Sequence, residues 1–320
     1  MLQLRRLFAF LLVLMAGCAP ALAQDWPTRP IRVIVPFSAG SASDIIPRLV
    51  LEQISAHLGQ PIVVENRVGG SGSIGTAAVA HAAPDGYTLL ANSSAFTVTP
   101  WTMPNLSYDI IRDFISVSSF AVLPNVLVIS PSKGIRSARE LADVARSKGG
   151  MTYATAGAGS ATHVSGELFR LSGKFDATAV PFKGGPEALT EVMTGRVDFY
   201  MVPVLPALSL LRDGKLLPLA VSTSQRASAL PDVPTTVEAG FPDSEYNYWV
   251  GLFAPAKTPP EIVARLNAAA QKALNAPELK ARLAQLGADP MLMSQPEFAA
   301  YIQKETLQMR EVVKAAGMGK

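Results

Sequence analysis

The chain has 320 residues, of which 49% are hydrophobic and 17% are charged, and this is enough apolar material for two domains. Its 28 basic and 25 acidic residues nearly balance, so no nucleic-acid partner is expected. A single cysteine, Cys18, excludes an internal disulfide. Three widely spaced histidines, without H-x-x-x-H or H-E-x-x-H spacing, argue against a metal site.

Residues 1 to 23 have the layout of a secretory signal peptide. Two arginines precede an apolar run over residues 7 to 16 that is too short to cross a bilayer, and Ala21-Leu22-Ala23 fits the A-x-A cleavage pattern. We therefore expect export and a mature chain starting at Gln24, whose net charge falls from +3 to +1 because two arginines and no acid are lost. Alternatively, Met15-Ala16-Gly17-Cys18 acts as a lipobox and Cys18 becomes a lipid-anchored first residue.

Short β-branched runs then alternate with helical patterns. Strands are predicted at 31–35, 62–64 and 87–90, with helices near 44–57 and 73–82. The pattern restarts with strands at 126–129, 152–154, 179–182 and 198–202 and helices near 138–147, 161–172 and 186–194. Because β-α-β order gives parallel strands with right-handed crossovers, we predict an α/β fold of two lobes, each a doubly wound sheet.

The segment between the two patterns, residues 120 to 125, is apolar and contains no Gly or Ser, which is typical of a crossing strand rather than a flexible tether. Lobes joined by crossing strands can hinge over a ligand. The predicted division places residues 24–123 plus 253–320 in lobe 1 and residues 124–252 in lobe 2. The last helix carries an apolar stripe from Phe298 to Val313 and is expected to pack on lobe 1.

Two loops that follow strands have the composition of an anion site. The segments 36–44 and 155–163 are rich in Gly, Ala and Ser, contain no Lys or Arg, and each enters a helix. Small residues let backbone N–H groups approach a ligand, and a helix N-terminus carries partial positive charge. Any βα turn needs small residues to pack its helix, but two such loops in equivalent places favour a shared cleft at the carboxyl ends of the strands.

The candidate ligand-binding residues belong to these loops and to two neighbouring strand ends. They are Phe37, Ser38, Ala39, Ser41, Ser43, Asp44, Ser93, Gly157, Ser160, Ala161, Thr162 and Lys183. For Lys183, which follows the strand ending at Phe182, a solvated surface lysine is the alternative interpretation. Asp198 is expected to anchor a neighbouring loop, and Trp249 is expected in core or hinge packing.

Motifs that would indicate catalysis or a cofactor are incomplete in this sequence. Gly70-Ser71-Gly72-Ser73-Ile74-Gly75 matches G-x-G-x-x-G, but no carboxylate ends the next strand, so we interpret it as a tight turn and expect no cofactor. No G-x-S-x-G elbow is present, and His163 is interpreted as a helix-start residue rather than a base. We therefore do not expect an enzyme.

Ordered segments along the mature chain resemble the substrate-binding receptors of tripartite tricarboxylate transporters, the Bug-type periplasmic proteins. The segments that carry the resemblance include Trp26–Ile31, Val64–Arg67, Ala83–Leu90, Tyr153–Gly157, Pro181–Gly184 and Leu230–Thr235. The resemblance implies a type II periplasmic binding protein fold in which Phe37–Asp44 and Thr155–Thr162 pinch a carboxylate. It also implies a periplasmic protein whose partners are a small organic acid and integral membrane transporter subunits; we expect a monomer.

Two departures from the family pattern bear on the ligand. The family's first loop has two adjacent glycines where this chain has Gly40-Ser41, and the segment Phe199–Pro203 is more apolar than a site for many carboxylate oxygens requires. Among citrate, dicarboxylates, acidic amino acids and aromatic acids, which the family binds, these changes favour a mono- or dicarboxylate with an apolar body. A sensory receptor with the same cleft is the alternative function.

Overall fold

The computed structural model describes residues 26 to 319. The predicted cleavage site after Ala23 and the Cys18 lipobox lie outside the described residues. Within residues 26–319, no helix is both long enough and apolar enough to cross a membrane.

The first sheet begins with three parallel strands in the order β2-β1-β3. These are β1 (Ile31–Val35), β2 (Ile62–Asn66) and β3 (Thr88–Ser93), alternating with the helices α1 (Ala42–Leu58), α2 (Ser73–Ala80) and α3 (Ala95–Thr102). The predicted β-α-β-α-β order is confirmed. Ile31 and Val33 of β1 are fully buried because helices cover the sheet.

The second sheet repeats this arrangement in the order β7-β5-β6. Its parallel strands are β5 (Met151–Thr155), β6 (Ala177–Pro181) and β7 (Phe199–Pro203), and its helices are α4 (Ala138–Lys148), α5 (Ala161–Gly173), α6 (Gly185–Met193) and α7 (Val204–Arg212). The strand β8 (Leu217–Val221) completes it. As expected, Asp198 anchors a loop: its carboxylate accepts from the Lys133 ammonium at 2.6 Å and the Thr152 amide at 2.8 Å.

The long strand β4 (Phe114–Ile129) connects the sheets, and its first part pairs antiparallel with β9 (Asn247–Pro255). β4 pairs with β9 as far as Pro124 and with β7 and β8 from Asn125 onward, so one strand belongs to both sheets. The fold therefore has two lobes joined by crossing strands. By strand pairing, residues 247–252 of β9 belong to the sheet of lobe 1. The division predicted from the sequence, at 252/253, counts them in lobe 2.

The C-terminal segment returns to lobe 1. It consists of α8 (Pro260–Asn275), α9 (Pro277–Gln285), the short strand β10 (Asp289–Pro290) and α10 (Gln295–Ala315). Phe298 and Ile302 of α10 are buried in one apolar cluster with Trp249 and Phe253 of β9. The final helix thus packs on lobe 1, as its apolar stripe predicts, and Trp249 is a core residue of the crossing strands.

Candidate functional site

A cavity lies between the lobes, where the loops after β1 and β5 face each other. Lobe 1 and the crossing strand β9 contribute Phe37, Ser38, Ser41, Ala42, Ser43, Ser93 and Tyr248. Lobe 2 contributes Ala156, Ser160, Ala161, Thr162, Gly184, Gly185, Tyr200, Val202, Pro203 and Pro206. We call this space the cleft cavity.

Most of the candidate residues meet in the cleft cavity. Its wall includes Phe37, Ser38, Ser41, Ser43, Ser93, Ser160, Ala161 and Thr162. Four candidates lie elsewhere: Ala39 is at the exposed tip of its loop, Asp44 is buried at the base of that loop, and Gly157 and Lys183 line a neighbouring pocket. The loop interpretation therefore locates the cavity, although not every loop residue faces it.

Asp44 holds the first loop in shape rather than facing the cavity. Its carboxylate accepts hydrogen bonds from the Gly40 amide at 3.0 Å, the Arg48 guanidinium at 2.8 Å and the Asn66 side-chain amide at 2.9 Å. Asn66 also donates to the Phe37 carbonyl at 2.9 Å. These bonds fix both ends of the loop that presents Ser38 and Ser41.

The second loop is organised by its own side chains. Ser160 caps α5 by accepting from the His163 amide at 3.3 Å, and Thr162 accepts from the Ala156 amide at 2.9 Å. His163 accepts from the Gly159 amide through Nδ1 at 2.9 Å, and burial lowers the pKa of its imidazole. A neutral imidazole that accepts a backbone hydrogen bond fits the helix-start interpretation.

Four helices begin at the wall of the cleft cavity. The residues preceding α1, α5, α6 and α7 are Ser41, Ser160, Gly184 and Pro203, and all four line it. No Lys, Arg, His, Asp or Glu side chain of the described chain belongs to this lining. The site thus offers partial positive charge and neutral hydroxyl donors to a ligand.

Sequence reasoning missed two tyrosines in the wall, Tyr200 on β7 and Tyr248 on β9. The Tyr248 hydroxyl is hydrogen-bonded to the Ser43 hydroxyl, and burial raises the pKa of its phenol. Alternation along a strand could have indicated Tyr248, because its neighbour Trp249 faces the core and successive side chains point to opposite faces. The same alternation places Tyr200 and Val202 on one face of β7.

The glycine-rich segment after β2 forms the rim of the cleft. Gly70–Gly72 is a single 3-10 turn, which confirms the tight-turn interpretation. The Ser71 hydroxyl donates to the Ala158 carbonyl of the other lobe. Beside this contact lies a second pocket, lined in part by Gly157, Phe182 and Lys183. Phe37 and Ala156 border both this pocket and the cleft cavity.

Known proteins share this architecture over most of the chain. A protein of R. palustris solved with adipate is 33% identical, superposes with a TM-score of 0.87, and the match covers 92% of this chain and 99% of that one. MatC from Rhodopseudomonas palustris, solved with malate, is 35% identical with a TM-score of 0.83, over 90% of this chain and 100% of that one. Protein BugT of Bordetella pertussis is 33% identical over 302 residues, 93% of each chain.

The two-lobed fold and the cavity between the lobes define the class as the periplasmic solute-binding receptors. The profile described as "Tripartite tricarboxylate transporter family receptor" matches residues 46–318. The chain belongs to that family, as the sequence resemblance indicates.

Proposed function

We propose that this protein captures a small organic carboxylate in the cleft cavity and presents it to the integral membrane subunits of a tripartite transporter. The observation that carries the proposal is a wall that combines hydroxyls from both lobes with the starts of four helices, with no charged side chain among the described lining residues. On this proposal the protein works as a monomer in the periplasm after residues 1–23 are removed, and it binds its ligand without altering it.

Neutral donors suit a carboxylate in a closed site. A hydrogen bond to a charged group contributes about 1.5–3 kcal/mol, roughly twice a neutral one, so a few hydroxyls and helix N-termini can replace the hydration of one carboxylate. An arginine or lysine in the wall would need its own partner when the cleft is empty.

The apolar residues of the cavity wall determine which carbon skeleton the ligand can have. Phe37, Val202, Pro203 and Pro206 give the cavity an apolar side, which favours a hydrocarbon skeleton over a third carboxylate. Adipate and malate in the related structures are dicarboxylates of limited size. We therefore propose a mono- or dicarboxylate with an apolar body and disfavour citrate.

Closure over the ligand completes the mechanism. Phe37–Ser43 and Ala156–Thr162 belong to different lobes, so a ligand that contacts both binds the closed form better than the open form. It can shift the open-to-closed equilibrium only by that difference in affinity. The Ser71 contact to Ala158 at the rim exists only when the lobes approach and would accompany closure.

A thermal-shift screen tests the function directly. The mature chain, residues 24–320, is heated with sodium salts of mono-, di- and tricarboxylates, aromatic acids and acidic amino acids, with sodium chloride at matched ionic strength as the control. A ligand at 100 times its Kd adds about 2.7 kcal/mol of stability, a shift of a few degrees. We expect a shift from one class of acid with an apolar body; a screen in which no acid exceeds the salt control contradicts the proposal.

A further inference from the structure

Most of the hydroxyls in the cleft cavity already have partners within the protein. Ser41 donates to the Ser38 carbonyl at 2.7 Å, Ser43 is paired with Tyr248, and Ser160 is paired with Thr162. Groups that are satisfied in this way gain little from a ligand, because each new bond replaces one that exists.

Two buried hydroxyls in the same wall are different. The Ser38 Oγ and the Tyr200 hydroxyl have no solvent access and no hydrogen-bond partner among the described residues. Ser38 follows β1 in lobe 1, and Tyr200, which is fully buried, is on β7 in lobe 2. Buried polar atoms in native proteins nearly always have a partner, so an unpaired hydroxyl on each side of a cavity needs an explanation.

The start of α6 lies against both hydroxyls. A Cβ placed on Gly184 would collide with the Ser38 hydroxyl, and one placed on Gly185 would lie 3.8 Å from the Tyr200 hydroxyl. Gly184 and Gly185 also line the cavity, and α6 has no side-chain cap on its first turn. Two unpaired donors therefore flank a helix N-terminus that is itself open to a ligand.

We propose that Ser38, Tyr200 and the N-terminus of α6 form one subsite for a ligand carboxylate, and that Tyr200 is a specificity-determining residue of this receptor. The inference rests on the proposed function and deepens it by naming the groups that the anionic end must reach. It places the decisive contact on strand β7, outside the two loops after β1 and β5.

The chemistry favours an oxyanion over other ligand groups. Burial raises the pKa of the Tyr200 phenol well above its ordinary value and outweighs a smaller lowering by the nearby Thr162 hydroxyl. The phenol therefore stays protonated and can donate. An anionic oxygen accepts such bonds strongly, whereas an ammonium or a hydrocarbon at this position leaves both donors without an acceptor.

The position of the two donors also links binding to closure. Because Ser38 and Tyr200 lie on opposite lobes, a carboxylate reaches both only in the closed form. A ligand that lacks an acceptor for Tyr200 would lose part of the affinity difference between closed and open states.

The test compares two tyrosine variants by isothermal titration with adipate, malate and benzoate. Tyr200→Phe removes the hydroxyl in the cavity. Tyr246→Phe removes another buried hydroxyl without a hydrogen-bond partner among the described residues, from a residue that does not line the cavity, and serves as the matched control. We expect Tyr200→Phe to weaken the Kd of a bound acid about 10- to 100-fold, and Tyr246→Phe to change it less than threefold.

A second readout separates recognition from structure. Because no described residue forms a hydrogen bond with the Tyr200 hydroxyl, Tyr200→Phe should leave the unfolding midpoint of the ligand-free protein unchanged or raise it. Ser38→Ala, on the other lobe, should weaken the Kd about 10-fold with an unchanged midpoint. If Tyr200→Phe and Ser38→Ala both bind with wild-type affinity, or if the two tyrosine variants lose affinity equally, the subsite is wrong while the proposed function stands. If the wild-type protein binds no acid, both the subsite and the proposed function are wrong.

Discussion

Glu305 is a carboxylate buried between the final helix and the crossing strands. It accepts hydrogen bonds from the Thr97 hydroxyl at 2.9 Å, the Trp249 indole at 2.8 Å and the Tyr301 hydroxyl at 2.8 Å. These donors come from α3, β9 and α10, so the side chain ties the C-terminal helix to the strand that joins the lobes. Its state of ionisation should therefore affect the stability of the whole protein.

The structure gives this effect a sign and a size. Burial raises the pKa of the Glu305 carboxyl from 4.5 to about 7, although all three donors favour the charged form. Because the folded protein binds this proton more tightly than the unfolded chain, the stabilisation is complete below pH 4.5 and is lost as the pH rises through 7. The difference corresponds to roughly 3 kcal/mol in the free energy of unfolding.

Urea unfolding of the wild type and Glu305→Gln between about pH 5 and pH 8 tests this reasoning. The variant keeps the size and one acceptor oxygen but cannot titrate. We expect its free energy of unfolding, relative to the wild type at the same pH, to rise by roughly 2–3 kcal/mol across this range, slightly less than the full difference because the wild type has already lost part of it at pH 5. Comparison at each pH cancels the other titrating groups. A difference that stays constant with pH would refute the reasoning.

Two further variants act on the closure of the cleft and on the first loop. Gly184→Ala brings a methyl group into collision with the Ser38 hydroxyl in the closed form. Calorimetry should therefore show roughly 10-fold weaker ligand binding with an unchanged unfolding midpoint. Unaltered affinity would argue against this closed geometry. Asp44→Asn weakens the hydrogen bonds from Gly40 and Arg48. Urea unfolding should show a free energy of unfolding about 1–2 kcal/mol lower, and calorimetry should show weaker ligand binding. An unchanged free energy of unfolding would show that Asp44 does not hold the loop.

Patterns that are local in sequence predicted much of this molecule. The short β-branched runs located β1 and β5, and the small-residue loops that follow them supplied Ser38, Ser41, Ser160 and Thr162 to the cavity. The two loops meet at the cavity because each follows a parallel strand at its carboxyl end, where clefts form in such sheets. That these residues bind a ligand stays a prediction.

Contacts between distant segments account for what was missed. Asp44 turns away from the cavity because Asn66 and Arg48 supply better partners, and no pattern within the loop shows that. Tyr200 and Tyr248 reach the cavity from strands whose faces depend on how the sheets pair. Lys183 lies in the neighbouring pocket because its backbone amide is held by the Glu187 carboxylate at 3.1 Å in the first turn of α6.

The most direct test of the account is whether the cleft recognises the carboxylate group itself. Isothermal titration of the mature chain would compare the acid that gives the largest thermal shift with its primary amide, which has the same carbon skeleton. We expect the amide to bind at least about 100-fold more weakly, because it lacks the charge and directs an N–H group at donors. Equal affinity for the acid and its amide would contradict the account.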